Sequence, residues 1–176
     1  MAEIRKKFYE NGSIEEEAMF IHDKQHGITR RYYEDGSLKE ELYFREGKQD
    51  GTTKWYFKSG TFKRIMNFKG GKLDGLMTAY YESGKLKEKW RFEADKLNGA
   101  GVLYYENGKL KDEINFSNDL PAGIEKKYYE TGALKEEISY QKDGIEWVKS
   151  YSESGALLST KTEQRSAGKI RVERPS

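Results

Sequence analysis

The sequence predicts an all-β fold: an elongated, single-layer antiparallel ribbon of β-hairpin repeats. Three observations carry that reading. Glycine recurs every 24 residues, at 12, 36, 60, 84, 108 and 132. An aromatic pair stands ahead of each of these glycines, and an apolar–polar alternation of period two follows them. A second glycine ladder, at 27, 51, 75, 99 and 123, keeps the same step. Repetition of this kind marks an array of supersecondary units, each too small to bury a face alone.

In chain order the copies are Phe8-Tyr9-Glu10-Asn11-Gly12, Tyr32-Tyr33-Glu34-Asp35-Gly36 and Tyr56-Phe57-Lys58-Ser59-Gly60. They continue as Tyr80-Tyr81-Glu82-Ser83-Gly84, Tyr104-Tyr105-Glu106-Asn107-Gly108 and Tyr128-Tyr129-Glu130-Thr131-Gly132. A seventh, Tyr151-Ser152-Glu153-Ser154-Gly155, arrives one residue early. Asn-Gly or Asp-Gly between alternating runs predicts a two-residue hairpin turn with positive φ at both residues. Copies one, two and five carry that dipeptide; the others keep only the glycine. After the turn come Leu38, Leu42 and Phe44, or Leu86, Trp90 and Phe92, or Leu110, Ile114 and Phe116, at strand spacing.

Short glycine-bearing links, such as the one from Phe44 to Gly51, join each hairpin to the next. The expected product is a meander of about a dozen strands, roughly 50–60 Å long at about 4.8 Å per strand. No copy has the 3.6-residue period of a helix. The stretch Gly168 to Val172 alternates once more and is expected to close the sheet, with Pro175 blunting that edge. The chain is thus expected to be one repeat domain over 1–176, with repeats at about 8–155 and 156–176 as a C-terminal cap or edge strand.

Strand alternation sorts the side chains. With 35 and 36 as the turn, Tyr33 is expected opposite Leu38 and Tyr32 opposite Lys39. An apolar face then collects Tyr33, Leu38, Leu42 and Phe44; then Phe57, Phe62, Met66 and Phe68; then Tyr81, Leu86, Trp90 and Phe92. The other face receives Tyr32, Tyr56, Tyr80, Tyr104 and Tyr128, each facing a lysine: Lys39, Lys63, Lys87, Lys111 or Lys135. A tyrosine row offers much contact area at low entropy cost, so these five are candidate partner-binding residues. On the apolar face Glu40 is expected opposite Arg31, Glu136 opposite Lys127 and Arg64 opposite Trp55. Asp112 faces Leu103 and Glu88 faces Ala79, so these two carboxylates lack a direct partner and are candidates for docking a basic ligand.

Composition sets the exclusions. The chain has 176 residues, 35% hydrophobic, with 13 Tyr, 8 Phe and 3 Trp to build a core. That aromatic content speaks against a disordered tail. Charged residues make up 35%, against about 25% in an average domain. Thirty-two basic against 30 acidic side chains leave +2, too little for a dedicated nucleic-acid binder. There is no cysteine, so neither a disulfide nor a thiolate metal site. No run is long and apolar enough to span a membrane. Met1 to Lys7 lacks the profile of a secretory signal, and a cytoplasmic location is expected.

The pattern of an aspartate-glycine, then Tyr-Tyr-Glu-x-Gly-x-Leu-Lys-x-Glu, then an aromatic and Gly-Lys, resembles the MORN-variant repeat (membrane occupation and recognition nexus). Gly75-Leu76 through Phe92 carries it most cleanly, and the likeness extends over about 8–155. The resemblance implies a MORN-like solenoid of six to seven repeats. Bacterial proteins built only from this variant include antitoxin or immunity components, which implies a protein that binds and neutralises a cognate toxin. The family has no catalytic motif and implies no cofactor. Its wider membership includes scaffolds and lipid-associated proteins, the alternative function here. The last copy and the tail from Lys161 depart from the pattern; the tail's basic residues Arg165, Lys169, Arg171 and Arg174 are interrupted by Glu163 and Glu173.

Catalytic chemistry finds little support. His22 and His26 have the spacing of a helical zinc pair, but they fall in a link, and His26 takes the slot of Asp50, Asp74 and Asn98. Asn11-Gly12-Ser13 matches a glycosylation acceptor that the turn already explains. Neighbouring carboxylates such as Glu40 and Glu41 alternate faces on a strand and cannot act as an acid–base pair. The expected function is therefore non-enzymatic protein binding, with no metal, no nucleic acid and membrane contact disfavoured. Pairing of two ribbons by their apolar faces is one way to cover a one-layer core.

Overall fold

The structure, a computed structural model, describes residues 1–142 and 144–162. The expected closing strand at 168–172 and Pro175 lie outside the described residues. Among those described, every regular element is a strand. In order these are β1 (Ala2–Phe8), β2 (Ile14–Ile21), β3 (Lys24–Tyr32), β4 (Leu38–Arg45), β5 (Lys48–Gln49), β6 (Gly51–Tyr56), β7 (Phe62–Lys69), β8 (Lys72–Leu73) and β9 (Gly75–Tyr80). There follow β10 (Leu86–Glu93), β11 (Lys96–Leu97), β12 (Gly99–Tyr104), β13 (Leu110–Ser117), β14 (Leu120–Tyr128), β15 (Leu134–Gln141), β16 (Gly144–Tyr151) and β17 (Leu157–Thr162).

All 17 belong to one open antiparallel sheet in which each hairpin leg pairs with the legs before and after it in sequence. β5/β6, β8/β9 and β11/β12 are single legs broken by bulges at Asp50, Asp74 and Asn98, whose amides donate to Tyr43, Asn67 and Arg91 carbonyls. The result is an elongated hairpin ribbon, as the repeat predicts.

The turn at the main glycine ladder differs from the expected one. Tyr33 N donates to Ser37 O at 2.8 Å and Gly36 N to Tyr33 O at 2.9 Å. Only Gly36 has positive φ, +85°. This is a three-residue loop, a type I turn closed by a left-handed glycine bulge. The Asp35 carboxylate accepts from Ser37 N at 3.0 Å, and Asn11 and Asn107 do the same in their copies, each at 2.9 Å. Asn and Asp are thus turn caps here, and since φ is ordinary at their position, Ser59, Ser83 and Thr131 can also stand there. The two-residue turns with positive φ at both positions lie on the opposite margin, at His22-Asp23, Glu46-Gly47, Gly70-Gly71, Ala94-Asp95 and Asn118-Asp119.

A second correction follows from the loop. Tyr32 pairs with Leu38, not Lys39, and a bulge then restores Arg31 opposite Glu40. Lys39 is the bulged residue; its ammonium lies over the Tyr33 ring, 5.7 Å from the centroid, and Lys63, Lys87, Lys111 and Lys135 repeat the stacking. The residue after each turn therefore joins the tyrosine face: Phe62 packs between Tyr56 (5.1 Å between centroids) and Tyr80 (6.3 Å). Away from the bulge the expected register holds, with Lys127 opposite Glu136, Trp55 opposite Arg64, Leu103 opposite Asp112 and Ala79 opposite Glu88.

The core lies along one face. Ala18, Leu42, Met77, Trp90, Ile114 and Ile138 are buried there, with Thr29 and Thr53 between them. A single layer buries side chains this deeply by curling over them, the natural result of strand twist. Hydrogen bonds between successive hairpins lace both margins. On one, Gly47, Gly71, Asp95 and Asp119 amides donate to carbonyls 22 residues earlier, at 2.7–2.9 Å. On the other, the Tyr9, Tyr33, Tyr81, Tyr105 and Tyr129 hydroxyls donate to backbone carbonyls one repeat ahead.

Candidate partner-binding face

The sequence-derived candidates divide between the two faces. Tyr32, Tyr56, Tyr80, Tyr104 and Tyr128 share the outer face; Glu88 and Asp112 lie on the buried one, so the structure does not bring the two sets together. The tyrosine row is partly engaged internally. Tyr32 donates to Glu17 at 3.1 Å, Tyr56 to Glu41 at 3.0 Å and Tyr128 to Glu113 at 2.7 Å, each carboxylate lying 15 residues earlier. Burial, and then the carboxylate, push the Tyr56 and Tyr128 phenols up to about 12. Those hydroxyls stay protonated and act as fixed donors.

A row of alternating charge runs beside the tyrosines. Glu17 stands between Lys6 and Arg30, Glu41 between Arg30 and Lys54, and Glu137 between Lys126 and Lys149. Several of these pairs close as ion pairs: Lys6–Glu17 at 2.7 Å, Arg30–Glu41 at 3.2 Å and Lys126–Glu113 at 3.9 Å. Beyond this row comes one that sequence reasoning missed. Ile4, Ile28, Leu76 and Ile124 occupy one repeat position and are 37–69% exposed, with Tyr43 opposite Ile28 at 47%. Ile28 and Tyr43 border two shallow depressions of about 460 and 330 Å3. The signal was present as a third 24-residue ladder, at 4, 28, 76 and 124.

On the buried face the two carboxylates fare differently. Glu88 accepts from Trp90 Nε1 at 3.0 Å and lies 4.0 Å from Arg64, so it is a satisfied core residue. Asp112 is unlike it: its Oδ1 is buried without a hydrogen-bond partner. Burial first and the Glu125 charge second push its carboxyl up to about 7. Glu125 is itself buried, accepting from Tyr140 at 2.6 Å, with Lys127 Nζ 3.5 Å away. Asp112 therefore keeps its proton to a higher pH than an ordinary aspartate, because burial and the neighbouring Glu125 both disfavour its ionisation. At the other end of the same row Arg31 bridges Glu16 at 2.7 Å and Glu40 at 3.0 Å. Among the described residues no group of three or more metal-ligating side chains converges; His22 sits in a turn and His26 on β3.

Fold and face together define a β-hairpin repeat protein with one buried face and one outer face of aligned tyrosine, charged and apolar rows. The MORN repeat variant model matches residues 4–22, 25–46, 49–69, 73–94, 97–118 and 122–142, and the chain belongs to that family. The β16–β17 hairpin continues the same turn geometry beyond the sixth matched segment. Repeats of this kind are generally protein- or lipid-binding modules. Comparison with curated proteins gave no match.

Proposed function

We propose that the chain is a non-enzymatic binding module that covers a partner protein with its outer face, and that the partner is a cognate toxin it neutralises in the cytoplasm. The observation that carries the protein-binding part is the exposed row Ile4, Ile28, Leu76 and Ile124, set at one repeat position beside a row of charges. Exposed apolar side chains aligned at a fixed spacing and rimmed by charge suit a protein surface. The toxin part rests on the resemblance to bacterial proteins built from this repeat. The alternating charges of the outer face make it a poor match for the uniform anion of a phosphate backbone.

The test is capture of the tagged full-length chain from its native extract, followed by expression of what it holds. A stoichiometric partner that kills cells when expressed alone, and is tolerated with this chain, establishes the reading. A harmless partner removes the toxin role. Recovery only with membrane fractions transfers the function to lipid association.

A further inference from the structure

We propose that the centre of the outer face, around Lys89 and Arg91, docks an acidic segment of the partner protein. This rests on the protein-binding reading above and locates where that contact is made.

The outer face is not uniform along its length. Toward both ends each acidic residue of the charged row has a cation beside it: Glu17 and Glu41 on one side, Glu113 and Glu137 on the other. In the middle the carboxylates disappear. The row there reads Ile65, Thr78, Lys89, Val102, with Lys89 standing between Thr78 and Val102. Arg91, on the same strand and face, stands opposite exposed Leu76. Neither cation makes an ion pair among the described residues. Nearby acids at the margins are committed to the fold: Asp74 and Asp95 accept from backbone amides, and Glu93 from Asn98.

The same loss of carboxylates frees two tyrosines. The positions 15 residues before Tyr80 and Tyr104 are Ile65 and Lys89, where Tyr32, Tyr56 and Tyr128 find glutamates. Among the described residues neither Tyr80 nor Tyr104 has a hydrogen-bond partner for its hydroxyl. The centre thus presents two unpaired cations, two open phenol donors and an exposed leucine, and no carboxylate of its own. The complement is a surface rich in carboxylates with an apolar side chain among them. Uncompensated charge at the centre of a patch, flanked by self-paired charge, also favours one docking position over its repeats.

The probe is the unlabelled peptide Glu-Glu-Leu-Glu-Leu-Glu-Glu, with its counterpart carrying lysine for each glutamate, titrated into the 15N-labelled full chain and followed by amide shifts. The acidic peptide is expected to shift amides near 65, 76–80, 89–91 and 102–104, and the lysine peptide to leave them unmoved. Lys89→Ala with Arg91→Ala should weaken the response severalfold, more at low salt than at high. Lys89→Glu with Arg91→Glu should abolish it, with unchanged far-UV circular dichroism since both side chains are exposed. Shifts spread evenly over the hairpins, or equal responses to both peptides, overturn the proposal. So does binding to phosphatidylserine vesicles without any peptide response, which makes the patch a membrane contact. A captured protein partner that binds the double glutamate variant as tightly as the wild type overturns this patch alone and leaves the protein-binding reading standing. Failure of the capture itself is a separate result.

Discussion

The hydroxyl of Tyr33 donates to the backbone carbonyl of Tyr56 at 2.9 Å, tying the end of one hairpin to the next. The bond recurs at Tyr9, Tyr81, Tyr105 and Tyr129, and one rung is missing, because the third copy has Phe57 in the tyrosine position. Phe57→Tyr should complete the ladder onto the Tyr80 carbonyl and stabilise the fold by about 0.5–1.5 kcal/mol, the net value of an added hydrogen bond. Tyr81→Phe should cost a similar amount. Urea unfolding of both variants checks the pair, and opposite shifts of the midpoint at unchanged slope are expected.

Trp90 and Gly101 are a second complementary pair. A Cβ built on Gly101 would overlap the six-membered ring of the indole. At the same repeat position the chain has Thr29, Thr53, Met77 and Glu125, so glycine here answers the bulk of Trp90, where other copies carry Leu42, Met66, Ile114 or Ile138. Gly101→Ala is expected to cost about 1–3 kcal/mol through overpacking. In the Trp90→Leu background the same change should cost much less, although Trp90→Leu alone removes the donor to buried Glu88. A thermal or denaturant double-mutant cycle reads the coupling directly; additive effects would mean the backbone yields at 101 instead.

Asp112 gives the pH dependence. Its folded carboxyl titrates at about 7, against 3.8 for the unperturbed group. As pH rises between those values the unfolded chain loses this proton while the folded chain keeps it, so the group's contribution to stability falls through that window and is flat above it. At about 1.4 kcal/mol per pKa unit the upper bound is about 4 kcal/mol, reduced because water reaches a half-buried side chain. Asp112→Asn, which keeps a donor toward Glu125, should match the wild type near pH 4 and exceed it increasingly up to pH 7. Unfolding curves of both proteins from pH 4 to 8 check this; parallel curves would show that Asp112 ionises normally.

Most of the architecture was legible because one unit is written seven times over. The pairing of Arg31 with Glu40 and of Leu103 with Asp112 follows from counting outward from the turn, and it holds even though the turn differs. Asp35-Gly36 fits either a two-residue turn or a three-residue loop with a bulge, and the bulged Lys39 restores the count, so only Leu38, Lys39 and their equivalents depart from the expected placement. The fate of the candidate carboxylates was harder to see. Cross-strand counting shows Ala79 beside Glu88 but not Trp90, two residues along on the same face, whose indole satisfies it. The engagement of the tyrosines is likewise a diagonal contact, visible only once the 15-residue offset to Glu17, Glu41 and Glu113 is recognised.

The central buried row begins at Arg5, opposite Ala18, and among the described residues ends at Lys161, opposite Val148. Interior strands place Thr29, Leu42, Thr53 or Ile114 at this position, and one carboxylate, Glu125, but no cation. Arg5 is held over the Phe20 ring, 4.3 Å from its centroid, and paired with Glu3 and Asp23. Among the described residues β1 and β17 are the outermost strands, and a cation at a core position of such a strand discourages addition of a further one. Were a second copy to add its β1 to β17 in the register that sets Glu40 opposite Trp55, Lys161 would meet Arg5, two like charges face to face. Arg5→Thr with Lys161→Leu recreates the Leu42–Thr53 combination of the interior and is expected to give end-to-end oligomers that lengthen with concentration. Lys161→Glu should give a weaker, salt-sensitive association through the new pair with Arg5. Sedimentation velocity distinguishes an open series of species from a single dimer formed by the buried faces. A double variant that sediments as the wild type at every concentration would show that something other than these two charges closes the ends.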